Sequence, residues 1–253
     1  MTIILDVECA PKLAYVWGMW KQNVSQDMLL EHSYLMSASV KQLGSDTTYY
    51  HETRTEDDYG LVKWLIEWMD KADYIIAHNG KKFDIPLIKA RAIINGIEPP
   101  SPYKVIDTLE IARKEFLFTK NTLENLALQL NCDLTKLKDR KFNGFKLWKE
   151  CIDGNEEAWA EMKKYNILDV EVLEEVYNKL RPWDTRHPNI NVEDDEETMR
   201  CPKCASTKLE RRGFYTTNVG KYQRYQCKSC KGWSSSRYVE NSVEKRKSLL
   251  KSR

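Results

Sequence analysis

Tyr74-Ile75-Ile76-Ala77-His78-Asn79-Gly80-Lys81-Lys82-Phe83-Asp84-Ile85-Pro86 is the stretch that decides the fold. A short apolar run of this kind is a buried strand, the Gly-containing segment after it is a turn, and the helix that follows begins with an acid. Asp84 standing alone needs no more than the positive end of that helix to explain it. Outward from this unit, alternation and β-branched residues predict strands over 2–7, 35–40, 47–50, 74–77 and 103–106. Helical periodicity predicts helices over 56–70, 83–95, 108–116, 122–131 and 156–180. Strands first, then alternation with helices, give a mixed α/β five-stranded sheet flanked by helices.

Two further acidic patterns flank this unit. Asp6-Val7-Glu8 lies on the first strand, where residues two apart share a face, so both carboxylates point away from Leu5 and Val7. Paired carboxylates repel and are tolerated mostly around a cation, although an exposed strand end explains many such pairs. Tyr165 and Asp169 stand one turn apart on the last long helix and share a face. Asp107, between a strand and a helix, is expected to cap the helix and not to bind metal. The run 136–141, rich in Lys and Arg, is expected to be a solvated surface. His78 is given no role.

In this order and spacing the three patterns, Asp-x-Glu, Asn-x-x-x-Phe-Asp and Tyr-x-x-x-Asp, resemble the DEDD (DnaQ-like) 3′-5′ exonuclease superfamily in its tyrosine variant. The string from His78 to Arg91 is similar to the proofreading exonuclease of family B DNA polymerases. The resemblance covers residues 1–182 and implies a ribonuclease H-like fold with two Mg²⁺ or Mn²⁺ ions. It implies that Asp6 bridges the metals, that Glu8 and Asp169 hold the one activating water, and that Asp84 positions the other. It assigns Tyr165 to orienting the attacking water, because a phenol with a pKa of about 10 is a poor base near neutrality. Asn79 and Phe83 are the expected contacts to the terminal nucleotide.

The chain has 253 residues, 40 Lys plus Arg against 38 Asp plus Glu, and a formal charge of +2. That near-neutrality is an average of opposites. Residues 198–253 carry 15 basic and three acidic residues, a balance of +12, while residues 1–197 carry 25 and 35, a balance of -10. Such asymmetry points to a polyanion-binding module joined to something else. The basic part holds Cys201-x-x-Cys204 and Cys227-x-x-Cys230, two pairs with the spacing of a four-thiolate zinc site. A redox dithiol is the competing explanation, disfavoured by the doubled motif and the basic surroundings. A module this small has little core, so one structural Zn²⁺ would supply much of its folding free energy. The wording Cys-Pro-Lys-Cys and Gln223-Arg-Tyr-Gln-Cys-Lys-Ser-Cys230 resembles the zinc ribbons beside transposases, with Ala205 where glycine is usual. Phe214, Tyr215, Tyr222, Tyr225, Trp233 and Tyr238 interleave with Arg and Lys, as stacking on bases demands, and about half are expected to pack the ribbon instead. Arg224 and Lys228 are candidate phosphate contacts.

A mean hydropathy of -0.63 and the absence of a long apolar run exclude a membrane-spanning helix. No signal peptide opens the sequence, so a soluble cytoplasmic protein without a membrane partner is expected. The expected domains are an exonuclease domain over 1–182, an acidic linker over 183–199, a zinc ribbon over 200–240 and a basic tail over 241–253. The expected activity is metal-dependent 3′-5′ hydrolysis of DNA, with nucleic acid as partner and a polymerase or other replication or repair protein acting in trans. Alternatives are an RNA exonuclease, a structure-specific nuclease, or a DNA-binding recruitment factor with weak turnover.

Overall fold

The computed structural model describes residues 1–134, 140–192, 195 and 197–251, and divides into compact units Met1–Tyr177 and Asn178–Arg253. Most of the 136–141 run and part of the acidic 193–197 run lie outside the described residues.

In the first unit, β1 (Thr2–Cys9), β4 (Leu35–Gln42), β5 (Thr48–Glu52), β6 (Tyr74–Ala77) and β7 (Lys104–Asp107) form one sheet in the order β5-β4-β1-β6-β7. β4 runs antiparallel to β1 and β5, and β6 runs parallel to β1 and β7. A small hairpin of β2 (Leu13–Ala14) and β3 (Leu29–Glu31) joins β1 to β4. Around the sheet lie α1 (Tyr59–Asp70), α2 (Asp84–Ile94), α3 (Thr108–Glu115), α4 (Leu123–Gln129), α5 (Lys146–Ile152) and α6 (Glu156–Leu180). This is the expected mixed five-stranded sheet with flanking helices.

Alternation along β1 builds the core. Ile3, Leu5 and Val7 pack with Leu61, Val62, Leu65, Ile66 and Met69 of α1 and with Ile85 and Ile88 of α2. A second cluster gathers Met36, Leu147, Cys151, Trp159 and Met162 against the sheet's neighbourhood of α5 and α6. Burying a large apolar side chain is worth about 1.5–3 kcal/mol, so both clusters fix β1 and α6, the elements that carry the acids.

α1 begins three residues later than expected because Asp58 is engaged elsewhere. Its buried carboxylate accepts from Leu35 N (2.9 Å), Arg91 Nε (2.7 Å) and Nη2 (2.9 Å), and Asn95 Nδ2 (2.8 Å). Arg91 therefore ties α2 to the start of β4. α5 and the β2/β3 hairpin carry no comparable sequence signal: the helix has seven residues and no side-chain cap, and β2 has two residues.

The second unit contains β8 (Leu209–Thr216), β9 (Lys221–Cys227) and β10 (Trp233–Val239) in the order β10-β9-β8, followed by α7 (Val243–Ser248). Among the described residues no helix is long and apolar enough to cross a membrane.

Candidate active site and metal centres

β1 pairs with β6 only over residues 2–4, so beyond Ile4 it projects past its parallel neighbour. Asp6 and Glu8 lie on this projecting end, where the register sets them opposite Ser39 and Ser37 of β4. α6 brings Asp169 to the same place, and one carboxylate oxygen from each of Asp6, Glu8 and Asp169 lies within 4.8 Å of the others. The turn after β6 brings in Asp84, the first residue of α2, whose Oδ1 accepts from Val7 N at 3.3 Å. Asp84 thus occupies the flank that β6 leaves open, outside the three-carboxylate cluster.

The electrostatics are those of crowded acids. Burial, then the charges of Glu8, Asp84 and Asp169, hold the Asp6 carboxyl well above its ordinary value, opposed by a hydrogen bond from Asn166. Burial also pushes Asp84 up to about 6, against hydrogen bonds from its own backbone and from Val7. Hard oxygen donors in mutual repulsion fit a hard divalent cation such as Mg²⁺ or Mn²⁺.

Tyr165 lies one turn before Asp169. Its ring meets Trp148 edge-on with centroids 6.0 Å apart, and the Arg140 guanidinium carbon lies 4.0 Å from its centroid. Burial and the charges of Asp169, Glu8 and Asp6 push the phenol well above its ordinary 10.0, so at neutral pH it stays protonated and can donate. Arg140 is no solvated surface residue. It is half-buried against the tyrosine, and its Nη2 is buried without a hydrogen-bond partner.

Asp107 caps α3, accepting from Leu109 N (3.0 Å) and Glu110 N (3.4 Å). The same carboxylate accepts from Asn79 N (3.0 Å) and Lys81 N (3.1 Å), which clamps the turn leading to Asp84. Asn79 has φ +66, a left-handed conformation that asparagine tolerates. A Cβ on Gly80 would stand 2.3 Å from Ala77 Cβ, so the turn closes only with glycine there. His78 serves the same turn, with Nδ1 2.9 Å from Thr108 Oγ1 and Nε2 2.9 Å from Asn121 O. Phe83 is exposed beside Asp84.

Asn166 has a place in the site that sequence reasoning missed. Fully buried, it donates from Nδ2 to Asp6 Oδ2 (2.7 Å) and accepts on Oδ1 from Ser39 Oγ (3.0 Å) and Ser37 Oγ (3.4 Å). The available signal was the spacing of Ser37 and Ser39, two polar residues at period two within the apolar stretch Leu35–Val40 of the strand.

In the second unit the four thiols converge. Sγ atoms of Cys201 and Cys230, and of Cys204 and Cys227, are 3.7 Å apart, and all four lie within 4.8 Å of one another. Two similar turns build the cluster: Ala205 N donates to Cys201 O (2.9 Å), Lys231 N donates to Cys227 O (3.0 Å), and both donors have positive φ, +57 and +66. Burial raises the Cys201 thiol. Burial acts likewise at Cys227, but hydrogen bonds from the N–H groups of Cys230 and Ser229 and with the Cys204 and Cys230 thiols together bring that thiol down to about 6. Four converging sulfurs on paired turns are the donor set of a zinc ribbon. Ile190 N and Asn191 Nδ2 donate to Pro202 O and Cys201 O, both at 3.0 Å, so the chain ahead of the first pair is bound to that turn. Tyr225 is buried and Tyr222 half-buried, leaving Phe214, Tyr215, Trp233 and Tyr238 exposed. Lys221 lies 3.9 Å over the Phe214 ring and Arg224 4.7 Å over Trp233. Arg224 Nε donates to Arg212 O (2.8 Å), and Lys228 is exposed.

The RNase H superfamily profile (RNase_H_2) matches residues 26–181, and the chain belongs to that superfamily. With the carboxylate cluster, that membership defines its class as a nuclease. The match begins after β1, so Asp6 and Glu8 lie outside it and join the site through the fold. Among solved structures the chain is similar to the family B DNA polymerase from the hyperthermophilic archaeon Pyrobaculum calidifontis. The TM-score is 0.51 and the identity 12%, covering 72% of this chain and 25% of the polymerase. The likeness is one of fold, and the chain spans a quarter of that polymerase's length. No curated protein matches the sequence.

Proposed function

We propose that the chain is a metal-dependent 3′-5′ exonuclease acting on single-stranded or frayed DNA, with residues 200–240 a zinc ribbon that holds nucleic acid. The observation that carries this is the convergence of Asp6, Glu8 and Asp169 within 4.8 Å, with Tyr165 one turn from Asp169 in an RNase H superfamily fold. When bound there, two Mg²⁺ or Mn²⁺ ions supply activation of water and neutralisation of charge on the leaving oxygen. Asp6, Glu8 and Asp169 would hold them, with Asp84 acting from the flank. The chain's own groups do the rest. Asn166 fixes the orientation of Asp6, and the Tyr165 hydroxyl, kept protonated by its surroundings, donates to and orients the attacking water. Asn79 and Phe83 border the terminal nucleotide. The sequence resemblance to proofreading domains and the structural likeness to a DNA polymerase favour DNA and a polymerase, replication or repair partner in trans. In the second unit one Zn²⁺ held by Cys201, Cys204, Cys227 and Cys230 would stabilise a sheet whose exposed aromatics and cations, Arg224 and Lys228 among them, contact the strand. Matched single-stranded, duplex and RNA substrates labelled at each end, incubated with Mg²⁺ or Mn²⁺, test the proposal. Stepwise loss from the 3′ end of DNA supports it; initial 5′ shortening, internal cuts or RNA preference refutes the corresponding part.

A further inference from the structure

Residues 9–26 hold the longest acid-free run of the first unit, and its charged residues are Lys12 and Lys21 alone. The same run exposes large rings and a thioether to solvent: Trp17 is 96% exposed, Met19 86%, Trp20 83% and Tyr15 72%. Exposed apolar groups clustered in this way mark a recognition surface.

The surface is built and placed. Its base continues the sheet at the acid-bearing end of β1: Cys9 pairs with Leu35, Ala10 N donates to Tyr34 O (2.9 Å), and Tyr15 N donates to Met28 O (3.0 Å). At the tip, Gln22 Nε2 donates to Trp20 O (2.8 Å), and Lys21 adopts φ +51, a left-handed conformation costing about 1–2 kcal/mol. Six residues separate Glu8 from Tyr15, so the Tyr15 Cα lies within about 25 Å of the Glu8 Cα, the reach of a few nucleotides.

We propose that this loop is a stacking platform for unpaired bases of the strand whose end occupies the carboxylate cluster; the inference rests on the nuclease function proposed above. Chemistry selects the occupant. The rings are planar indoles and a phenol, which stack on any base, and the adjoining charges are cationic, matching phosphate. Residues 1–197 carry a balance of -10 and repel a polyanion, so substrate affinity there has to come from a source other than net charge. Stacking is such a source.

The test uses the full chain and a fluorescein-labelled oligothymidine single strand, with binding followed by anisotropy without divalent cation over a range of NaCl. The Trp17→Ala/Trp20→Ala variant is expected to bind about tenfold more weakly or worse, with an unchanged salt slope, because stacking releases no counterions. With Mg²⁺, KM rises and kcat is retained. Trp17→Phe/Trp20→Phe restores most of the affinity, whereas Trp17→Leu/Trp20→Leu does not. Circular dichroism and thermal melting confirm that each variant folds. Equal binding by the wild type and the Ala variant overturns the platform, as does rescue by Leu. A wild-type dimer that the Ala variant loses overturns it too, by assigning the surface to a second copy. A wild type that neither binds nor degrades the strand refutes the underlying nuclease function; a wild type that does both while the Ala variant matches it refutes the platform alone.

Discussion

Asn166 donates to Asp6 from a buried polar row that includes Ser37 and Ser39, so the orientation of the central carboxylate is set by α6 and β4 together. Groups that orient a metal ligand are commonly worth about 10–100-fold in metal affinity or activity. Asn166→Ala is therefore expected to raise the Mg²⁺ concentration needed for half-maximal activity, or to lower activity, by about that range without loss of fold, measured by Mg²⁺ titration of activity alongside circular dichroism. The crowded acids also set a pH dependence. Asp6 and Asp84 bind protons more tightly folded than unfolded, Asp84 at about 6 against an ordinary 3.8. The Asp84 contribution to metal-free stability falls as pH rises from 3.8 through about 6, and Asp6, also raised, acts in the same direction. Mg²⁺ binds the ionised forms, so its stabilising effect grows over the same window. Melting temperatures across this range with and without Mg²⁺ check both signs; a metal-free protein that gains stability through the window contradicts them.

At the scale of elements, the acids were readable from sequence because strand and helix periods fix which residues share a face. Glu156–Leu180 and Tyr74–Ala77 matched expectation residue for residue. What escaped were features set by tertiary partners. Asp58 shortens α1 because β4 and α2 claim its carboxylate, and Arg140 is drawn out of a charge run onto Tyr165. Asp107 was expected as a cap, but its grip on the Asn79 turn arises between elements 28 residues apart. The ribbon's turns are mutually similar in backbone although Ala205 and Lys231 replace the glycine such a conformation favours. Ala205→Gly relieves a left-handed alanine and is expected to stabilise the second unit by about 0.5–1 kcal/mol, after the greater freedom of glycine in the unfolded chain is deducted. Denaturant unfolding of the zinc-loaded chain, monitored in the ribbon, measures it.

For the whole molecule, opposite charges separate two tasks: an acidic unit suited to cations and a basic one suited to phosphate. Salt dependence should then reside in the ribbon. Replacing Arg211, Arg212, Arg224 and Lys228 by Ala is expected to reduce the slope of log affinity against log salt by about 3, at roughly 0.7 per phosphate contact on a single strand. Anisotropy titrations at several salt concentrations measure that slope; one unchanged in the variant places the contacts elsewhere. The central claim, that the carboxylate cluster performs metal-dependent 3′-5′ hydrolysis, is tested most directly with a 5′-labelled DNA single strand, Mg²⁺, and the wild-type chain beside Asp6→Asn. The account predicts a ladder shortened one nucleotide at a time from the 3′ end, requiring Mg²⁺ and lost in Asp6→Asn. The same ladder from Asp6→Asn, or no 3′ shortening by the wild type, would contradict it.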